Sequence, residues 1–454
     1  MAFRSVNPFN DQVFAEYDRW STEQVNQVLA QAHEAQPEWA LLGFEERARL
    51  MRAAAEVLRS RVDDWAEIIT REMGKRIVEA RGEVEKCAWV CEYYADHAES
   101  FLADQLIESD AGRSLVAWQP LGTVLAVMPW NFPFWQVFRF AAPTLMAGNT
   151  GVLKHASNVP RSALAIEAIF REAGFPQGVF RTLMISAGQV ETVIEDERVH
   201  AVTLTGSEPA GRAVAATAGR CLKPSVLELG GSDPFIVLED ADLDQAVEQA
   251  VTSRFINGGQ SCIAAKRFIL VESVADAFLE RFKQAVEALE PGDPLEASTT
   301  LQPMARQDLR DELHEQVADS IEAGAEPVTG CRPLDRPGAF YAASILDRVE
   351  PGMRAYAEEL FGPVAVVIRA RDADDAVRIA NESRFGLGGS VWTRDSDRGE
   401  AVARRVESGS VFVNGMVKSD PRLPFGGIKS SGYGRELSDL GIKEFVNAKT
   451  IWVK

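Results

Sequence analysis

The sequence predicts an α/β protein with two lobes, each built on a sheet of largely parallel strands, and three observations lead to that prediction. The chain has 454 residues, enough for two or three domains with ordinary hydrophobic cores. After residue 120, short apolar runs rich in β-branched residues alternate with amphipathic stretches, the pattern of buried strands joined by helices. The same alternation resumes after residue 230, which indicates a second α/β unit.

Residues 22–108 are predicted to be helical because their apolar residues recur at a spacing of about 3.6 residues. The three helical segments are "TEQVNQVLAQAHEAQPEWA", "FEERARLMRAAAEVLRSRVDDWAEIITREMG" and "VEARGEVEKCAWVCEYYADHAESFL". In the third segment Cys87 and Cys91 lie four residues apart and can share one face of a helix. No histidine cluster accompanies them, so we interpret both as core residues and predict no metal site.

The strands of the first α/β unit are predicted in "LGTVLAVMPW", "TGVLKHA", "FRTLMI" and "VHAVTLTGS", with helices in "PRSALAIEAIFREAG" and "GQVETVIED". The second unit continues with "PFIVLE", "LDQAVEQAVTSRFI", "KRFILVE" and "VADAFLERFKQAVEAL". The tail "FVNAKTIWVK" is predicted to be a strand. It has no evident hairpin partner in the sequence, which favours pairing with another subunit.

Composition excludes several classes of function. The chain has 67 acidic and 48 basic residues and a formal net charge of −19, which repels nucleic acids and anionic membranes. Five scattered cysteines are typical of a reducing compartment. The N-terminus has no signal-peptide pattern and no apolar run reaches about 18 residues, so a cytoplasmic location is expected. An anionic substrate must then be attracted by local cations.

Cys262 is the candidate nucleophile, in the stretch "INGGQSCIAAKRF". A thiol attacks carbonyl carbon well when it is accessible and its thiolate is stabilised. Gly258 and Gly259 allow the backbone to approach a ligand closely, and the N–H of Cys262 can donate to a developing oxyanion. The alternative is a small buried side chain that follows the end of a helix.

Two further residues complete a set for acyl chemistry through a thioester. Glu228 ends an apolar strand in "VLELGGSDP", where burial would raise its pKa into the range of a general base, unless it is a surface acid. Asn131 lies in the rigid loop "MPWNFPFWQVFRF" and can direct an amide at an oxyanion, unless it only forms a turn. The five histidines lie in contexts unlike those of cysteine proteases, which argues against a papain-like hydrolase.

A phosphate-binding turn is the fourth feature. "VTLTGSEPAGRAV" has the order strand, turn, helix, so Gly206, Ser207 and the free N–H groups of the helix can hold a pyrophosphate. It matches neither the usual dinucleotide fingerprint nor a P-loop, and a merely well-capped helix is the alternative. Lys154 ends the strand in "VLKHASN", where it can donate to a ribose or remain in solvent.

Seven motifs in order make the chain resemble the aldehyde dehydrogenase superfamily along nearly its whole length. They are "PWNFP", "VLKHAS", "TLTGS", "LELGG", "GGQSC", "EELFGPV" and "LPFGGIKSSGYGRE". Within that superfamily the chain is most similar to the succinate-semialdehyde dehydrogenase branch, in its short bacterial form. The resemblance implies an α/β fold with a Rossmann-like cofactor domain, an α/β catalytic domain and a small β oligomerisation element.

The resemblance also implies a mechanism. The Cys262 thiolate would attack the aldehyde to form a thiohemiacetal, with the oxyanion held by the Asn131 amide and the Cys262 N–H. A hydride would pass to the nicotinamide, and Glu228 would activate the water that hydrolyses the thioester. Superfamily members that transfer the acyl group to coenzyme A lack this glutamate, so release of a free acid is expected.

By the same resemblance, a set of residues is assigned to the cofactor. Lys154 and Glu359 would contact ribose hydroxyls, and Phe361 would pack near the nicotinamide. The full set is Trp130, Lys154, Ser157, Gly206, Ser207, Glu359 and Phe361. Many NAD-preferring members have a glutamate where this chain has Ser157, and a carboxylate there would repel a 2′-phosphate. We therefore expect NADP to be preferred and NAD to be accepted, unless His155 and Ser157 merely loosen the site for both.

The substrate pocket is expected to bind a second carboxylate. Arg139 and Ser419 match carboxylate-binding residues of the semialdehyde branch, and Trp135 and Phe134 would line the aldehyde tunnel. A further arginine of that branch is replaced here by Ile256, so Lys418 or Arg422 would have to assist. A surface position on a helix is the alternative for Arg139.

The expected organisation and function are as follows. Residues 1–105 and 121–229 form the dinucleotide-binding domain, residues 230–437 the catalytic domain, and residues 106–120 and 438–454 the oligomerisation element of a homodimer or homotetramer. The function is oxidation of succinate semialdehyde to succinate. A broad aliphatic or betaine-type aldehyde dehydrogenase is the near alternative, and a non-catalytic binding protein or a thioester hydrolase would belong to other classes.

Overall fold

Two sheets built mainly of parallel strands organise the chain, in a computed structural model that describes residues 2–454. The twenty strands are β1 (Phe3–Asn7), β2 (Gln12–Tyr17), β3 (Gln105–Leu106), β4 (Arg113–Pro120), β5 (Thr123–Met128), β6 (Thr150–His155), β7 (Phe180–Thr182), β8 (Val199–Thr205), β9 (Ser225–Glu228), β10 (Asp233–Val237), β11 (Ala265–Val271), β12 (Glu326–Thr329), β13 (Ser344–Asp347), β14 (Val364–Ala370), β15 (Phe385–Gly386), β16 (Ser390–Trp392), β17 (Phe412–Val413), β18 (Ile428–Lys429), β19 (Gly432–Tyr433) and β20 (Val446–Val453).

Fifteen α-helices within the described residues surround these sheets. They are α1 (Thr22–Leu41), α2 (Phe44–Ser60), α3 (Val62–Met73), α4 (Ile77–Phe101), α5 (Trp135–Met146), α6 (Pro160–Glu172), α7 (Val190–Glu195), α8 (Glu208–Arg220), α9 (Leu243–Phe255), α10 (Glu272–Glu287), α11 (Gln307–Glu322), α12 (Arg354–Ala357), α13 (Ala373–Asn381), α14 (Ser396–Ala403) and α15 (Ser438–Lys443). The α/β class predicted from the sequence is confirmed.

The first sheet has the strand order β19-β9-β8-β5-β6-β7. Its five strands from β9 to β7 are parallel, so their carboxyl ends share one edge, and helices follow β5, β6 and β8. Ligands bind at such an edge in open α/β sheets. The strand β19 pairs antiparallel with β9, although it lies within the range predicted for the catalytic domain. The division into domains stays a prediction.

The second sheet has the order β12-β13-β14-β11-β10-β16-β17, with only β12 antiparallel to its neighbour. Its central strands β10, β11 and β14 are buried along nearly their whole length because helices cover both sides. Phe235 and Trp392 stack with ring centroids 5.0 Å apart in one of its two cores. The Cys262 segment connects α9 of this lobe to β11.

The N-terminal helical region differs from its prediction in two places. Arg61 adopts a non-helical conformation (φ −133°, ψ 34°), so the second predicted helix is divided into α2 and α3. The helix α4 ends at Phe101, and residues 105 and 106 already form β3. The pattern of apolar residues did not reveal either break, because it continues through both. Cys87 and Cys91 are fully buried in the core, as predicted.

A third sheet contains β20, β4 and β3. The tail strand pairs antiparallel with β4 of its own chain over eight residues, so the expectation that it would pair with another subunit is wrong for this edge. The sequence concealed the pairing because the two strands are more than 300 residues apart. Among residues 2–454, no helix has both the length and the apolarity that a membrane crossing requires.

Candidate active site

Cys262 lies where two cavities meet. One cavity has a volume of about 290 Å³ and the other about 300 Å³, and Cys262 and Gln136 line both. The first cavity lies at the carboxyl edge of the first sheet, and the second lies between α4, α5 and the loop that contains Ser419. A group bound in either cavity can therefore reach the same sulfur.

The turn before Cys262 depends on its glycines, in a way that differs from the expectation. Asn257, Gly258 and Gly259 all have positive φ, at 55°, 62° and 75°. A Cβ on Gly259 would lie 2.2 Å from the carbonyl oxygen of Gly362. The glycines therefore permit a left-handed turn packed against the chain's own backbone, rather than close approach to a ligand.

The Cys262 thiol is held in a largely desolvated position. Burial raises its pKa to about 12, and the positive charges of Arg139 and Lys266 oppose that rise. The Lys266 ammonium donates to the carbonyl oxygens of Ser261 and Cys262, each at 2.8 Å. It also pairs with the Glu359 carboxylate at 3.0 Å. The backbone around the nucleophile is thus anchored by one buried cation.

Asn131 is buried beside the cysteine segment and lines the first cavity with Cys262. Its side-chain amide donates to the carbonyl oxygen of Gln260 at 3.1 Å. In turn the Asn257 amide donates to the carbonyl oxygen of Asn131 at 2.7 Å. Asn131 is therefore tied to the loop that contains the nucleophile, and the structure brings these two predicted residues together at one cavity.

Glu228 is buried at the end of β9, so the alternative of a surface acid is wrong. Neither of its carboxylate oxygens has a hydrogen-bond partner. Burial, and after it the negative charge of Glu436, raise the pKa of Glu228 well above its usual range. Its side chain packs against Gly426, where an added Cβ would lie 2.7 Å from Oε1, and it lines neither cavity. In this arrangement the Glu228 carboxyl group does not face either of the cavities that Cys262 lines.

The first cavity brings together five of the seven predicted cofactor residues, Trp130, Gly206, Ser207, Glu359 and Phe361. The Trp130 and Phe361 rings meet edge to face with centroids 5.8 Å apart. The other two, Lys154 and Ser157, lie outside this lining, at and just after the end of β6 on the same sheet edge. Lys154 is partly buried and Ser157 is exposed.

These residues fit a dinucleotide. The cavity lies where ligands bind in open α/β sheets, and Ser207 precedes the first turn of α8, whose free N–H groups suit a phosphate. The Glu359 carboxylate fits against Gly230, where an added Cβ would lie 2.3 Å from Oε2. It also accepts a hydrogen bond from the N–H of Gly231 at 3.2 Å, which holds one oxygen. Glu359 is thus positioned at the cavity wall.

The second cavity contains the predicted substrate residues Trp135, Arg139 and Ser419, and also Ile256, which replaces the missing arginine. Arg139 is buried rather than on a helix surface, and its guanidinium pairs with the buried Glu436 carboxylate at 2.5 Å. The charge of Arg139 is therefore partly compensated by the protein itself. Lys418 lines the cavity, whereas Arg422 pairs with Asp420 outside it.

Phe134 was expected to line the aldehyde tunnel, and that expectation is wrong. Its side chain is fully buried in the core, with ring centroids 6.4 Å from those of both Trp65 and Phe138. The adjacent Trp135 lines the cavity instead. His155 is likewise a core residue, within 2.8 Å of the Pro133 carbonyl oxygen.

Sequence reasoning missed Lys86, Gln136 and Glu436. Lys86 lies on α4 and lines the second cavity, and its neighbours in sequence are those of an ordinary amphipathic helix. Gln136 follows Trp135 in a motif that was recognised, and it lines both cavities. Glu436 ends the recognised motif "GYGRE", but its contact with Arg139 joins positions 297 residues apart, so no local pattern could indicate it.

Comparisons with known proteins agree with this geometry. A model of the aldehyde dehydrogenase family matches residues 1–451. A probable NADP⁺-dependent succinate-semialdehyde dehydrogenase from Synechocystis sp. is 51% identical over 453 residues, covering 100% of each chain. The corresponding enzyme of Mycolicibacterium paratuberculosis is 48% identical, covering 100% of this chain and 97% of its relative. The crystal structure of succinic semialdehyde dehydrogenase from Streptococcus pyogenes with NADP⁺ has a TM-score of 0.98 at 40% identity and covers both chains fully.

Proposed function

We propose a function from the family to which this chain belongs, the aldehyde dehydrogenases. The chain oxidises succinate semialdehyde to succinate, with NADP⁺ as the preferred cofactor. The observation that carries the proposal is the position of Cys262 between two cavities. One has the residues of a dinucleotide site, and the other contains cations suited to a substrate carboxylate. The reaction consumes the aldehyde, NADP⁺ and water, and yields succinate, NADPH and protons.

The nucleophile is Cys262, whose sulfur adds to the aldehyde carbon. Because burial raises the pKa of its thiol to about 12, the thiol is protonated at rest, and its proton passes to water as the sulfur attacks, as one of the protons that the overall reaction yields. The Asn131 amide and the Cys262 N–H then hold the oxyanion, a role that oxyanion donors fill when they are positioned before the reaction. The anchored loop described above supplies that positioning.

A nicotinamide held by Trp130, Glu359 and Phe361 would supply the hydride acceptor at the first cavity. Glu228 would activate the water that hydrolyses the resulting thioester. Because its side chain packs against Gly426 and lines neither cavity, it must rotate towards Cys262 before that step. The rotation would also carry the carboxyl group out of its desolvated position. Its pKa would then fall, which favours the carboxylate form that a general base requires.

The cofactor preference is assigned to the end of β6. Ser157 is exposed there and Lys154 lies three residues before it, so the two can contact a 2′-phosphate without carboxylate repulsion. Ser157→Glu is expected to shift kcat/KM towards NAD⁺, measured with both cofactors at one aldehyde concentration. The control is Ser157→Gln, because glutamine has the size of glutamate without its charge. It should shift the ratio of kcat/KM for NAD⁺ to kcat/KM for NADP⁺ less. Equal ratios in all three proteins would contradict the assignment.

The substrate is tested by comparing kcat/KM for succinate semialdehyde, butanal and betaine aldehyde with each cofactor. Cationic lining of the second cavity predicts that succinate semialdehyde is preferred by about ten- to a hundredfold, the effect of one charge-assisted hydrogen bond. Butanal oxidised as efficiently as succinate semialdehyde would contradict the proposal and favour a broad aliphatic enzyme. Preference for betaine aldehyde would contradict it as well.

The assembly and location complete the proposal. A homodimer or homotetramer joined through the third sheet is supported by apolar side chains exposed on it, among them Leu106, Ile451 and Trp452. A cytoplasmic location is supported by five cysteines, all free in the described chain.

A further inference from the structure

Lys86 stands out among the cations of the second cavity because of what surrounds it. Its ammonium donates to the hydroxyl of Ser419 at 2.7 Å and lies 4.1 Å from the centroid of the Trp135 ring. The side chain is partly buried on α4, and it lines the same cavity as Cys262. Two of its contacts, Ser419 and Trp135, are residues that the sequence assigned to the substrate.

The other cations of this cavity are differently placed. Lys75 is buried and ion-paired with Glu83, and Arg139 is buried and ion-paired with Glu436. Lys418 is exposed, so water screens its charge. Within residues 2–454, no carboxylate lies within 4.0 Å of the Lys86 ammonium. Lys86 therefore brings a cation into the cavity that the protein does not itself neutralise.

The hydrogen bonds leave donors available to a ligand. An ammonium has three N–H donors, of which one is taken by Ser419. Because the Ser419 oxygen accepts from Lys86, its own O–H stays free to donate. The two side chains thus present an ammonium and a hydroxyl side by side, an arrangement that suits the two oxygens of one carboxylate.

We propose that Lys86, together with Ser419, binds the carboxylate of the aldehyde substrate and determines the preference for a carboxylate-bearing aldehyde. This inference rests on the proposed function and names the residue that supplies its specificity. It transfers to Lys86 a role that the sequence assigned to Arg139, whose charge Glu436 already offsets. Lys86 touches the non-reacting end of the substrate and takes no part in the chemical steps.

The protonation of Lys86 provides an independent readout. Burial, and after it the positive charge of Arg139, lower its pKa to about 8, while Cys87, Glu83 and Asp420 act in the opposite direction. Lys75, Glu79, Lys418 and Cys262 are the other charged or titratable groups around the cavity that can face the ligand. As the pH rises through about 8, Lys86 loses its charge and its attraction for a carboxylate.

The experiment compares wild type with Lys86→Met, Lys86→Arg and the control Lys283→Met. Methionine keeps an unbranched apolar side chain against Trp135 but removes the charge, whereas arginine retains the charge. Lys283 is partly exposed on α10, where it pairs with Glu287 at 3.9 Å, and its variant makes the same change in net charge away from the cavity. The quantity measured is the ratio of kcat/KM for succinate semialdehyde to kcat/KM for butanal, from pH 7 to 9.5.

We expect Lys86→Met to lower this ratio about ten- to a hundredfold, with most of the change in KM for succinate semialdehyde. Lys86→Arg should recover part of the ratio, and Lys283→Met should leave it unchanged. In wild type the ratio should fall as the pH passes about 8, and in Lys86→Met it should be independent of pH. Taking the ratio cancels the ionisation of Cys262, which affects both aldehydes.

Two failures are distinguishable. Wild type without a preference for succinate semialdehyde over butanal would overturn the proposed function and this inference with it. A wild-type preference that Lys86→Met retains at every pH would overturn this inference alone and return the carboxylate to Arg139. A ratio lost equally in Lys86→Met and Lys86→Arg, with no pH dependence in wild type, would show that Lys86 only packs against Trp135.

Discussion

Burial acts in the same direction on the nucleophile and on the expected general base. It raises the pKa of Cys262 to about 12 and that of Glu228 well above its usual range, so in both groups burial favours the neutral form. Neutral groups resist side reactions such as oxidation of a thiolate. The cost is that each must change its environment before it reacts. The environment of Cys262 changes when a ligand enters the cavity. Glu228 must move towards Cys262.

Asn131→Ala tests the oxyanion role at the scale of one residue. Loss of a single oxyanion donor is expected to lower kcat by about 10²–10³-fold. The variant also loses the hydrogen bond to Gln260, which stabilises the fold by only about 1 kcal/mol. Thermal unfolding and NADP⁺ binding should therefore remain close to wild type while turnover is lost. A near-normal kcat would remove Asn131 from the mechanism.

Glu228→Gln tests the buried carboxyl group through the pH dependence of stability. The folded protein raises the pKa of Glu228, so it binds the proton more tightly than the unfolded chain. The stability that this group contributes is fully present below its pKa in the unfolded chain, about 4.3. It is lost as the pH rises from there towards its pKa in the folded protein, by about 1.4 kcal/mol for each pH unit between the two. The variant should therefore lose less Tm than wild type between pH 5 and pH 8.

The control for this measurement is Glu99→Gln, which changes an exposed acid on α4. Its Tm should follow wild type across the same range. Parallel profiles for Glu228→Gln and wild type would mean that the carboxyl group is solvated in solution. Kinetically, Glu228→Gln is expected to slow release of the acid, which a single-turnover experiment separates from acyl formation.

At the scale of elements, the connection between β9 and β10 joins the two lobes at the active site. Its Gly230 and Gly231 lie against the Glu359 carboxylate and the Cys262 carbonyl oxygen, respectively. Larger residues cannot occupy these positions without displacing one of the two. A short glycine pair therefore determines the distance between the first sheet, the nucleophile and the wall of the cofactor cavity.

Gly231→Ala is expected to displace the Cys262 segment, since the new Cβ would lie 2.6 Å from the Cys262 carbonyl oxygen. A shift of about 1 Å at a nucleophile can lower the rate about a hundredfold. Gly219→Ala on α8 is the matched control, because nothing lies within 4 Å of its added Cβ. It should keep activity and gain about 0.5–1 kcal/mol of stability. Equal activity in both variants would show that the segment accommodates the methyl group.

At the scale of the whole molecule, the third sheet stands apart from the two lobes. Its strands β20, β4 and β3 form no part of the other sheets, and the strand at its β20 edge has no further partner in the described chain. Leu106 is 70% exposed and Trp452 is 51% exposed. An unpaired strand edge bearing apolar side chains is a site where another chain can associate.

Trp452→Glu is expected to weaken assembly, because a charge in an apolar contact must be desolvated. Light scattering coupled to size exclusion should show a smaller species than in wild type. Leu222→Glu is the control, as Leu222 is 92% exposed in the loop after α8. A wild type with the mass of a single chain would contradict the proposed assembly. An unchanged oligomer in Trp452→Glu would place the interface elsewhere.

Much of this protein is determined by local sequence alone. Buried parallel strands are continuous apolar runs and amphipathic helices have a 3.6-residue period, so the α/β class follows from short segments. Cys262, Asn131 and Glu228 also lie in short motifs that contain glycines or prolines, "GGQSC", "PWNFP" and "LELGG". These motifs made them candidates without any structure.

Only the tertiary structure decided the charge balance of the cavities and the partners of distant segments. Arg139 meets Glu436, Lys86 meets Ser419 and the tail meets β4 across hundreds of residues. Whether a cation is available to a substrate depends on whether a carboxylate lies beside it. That depends on which segments the fold brings together, and the sequence near Lys86 is that of an ordinary amphipathic helix.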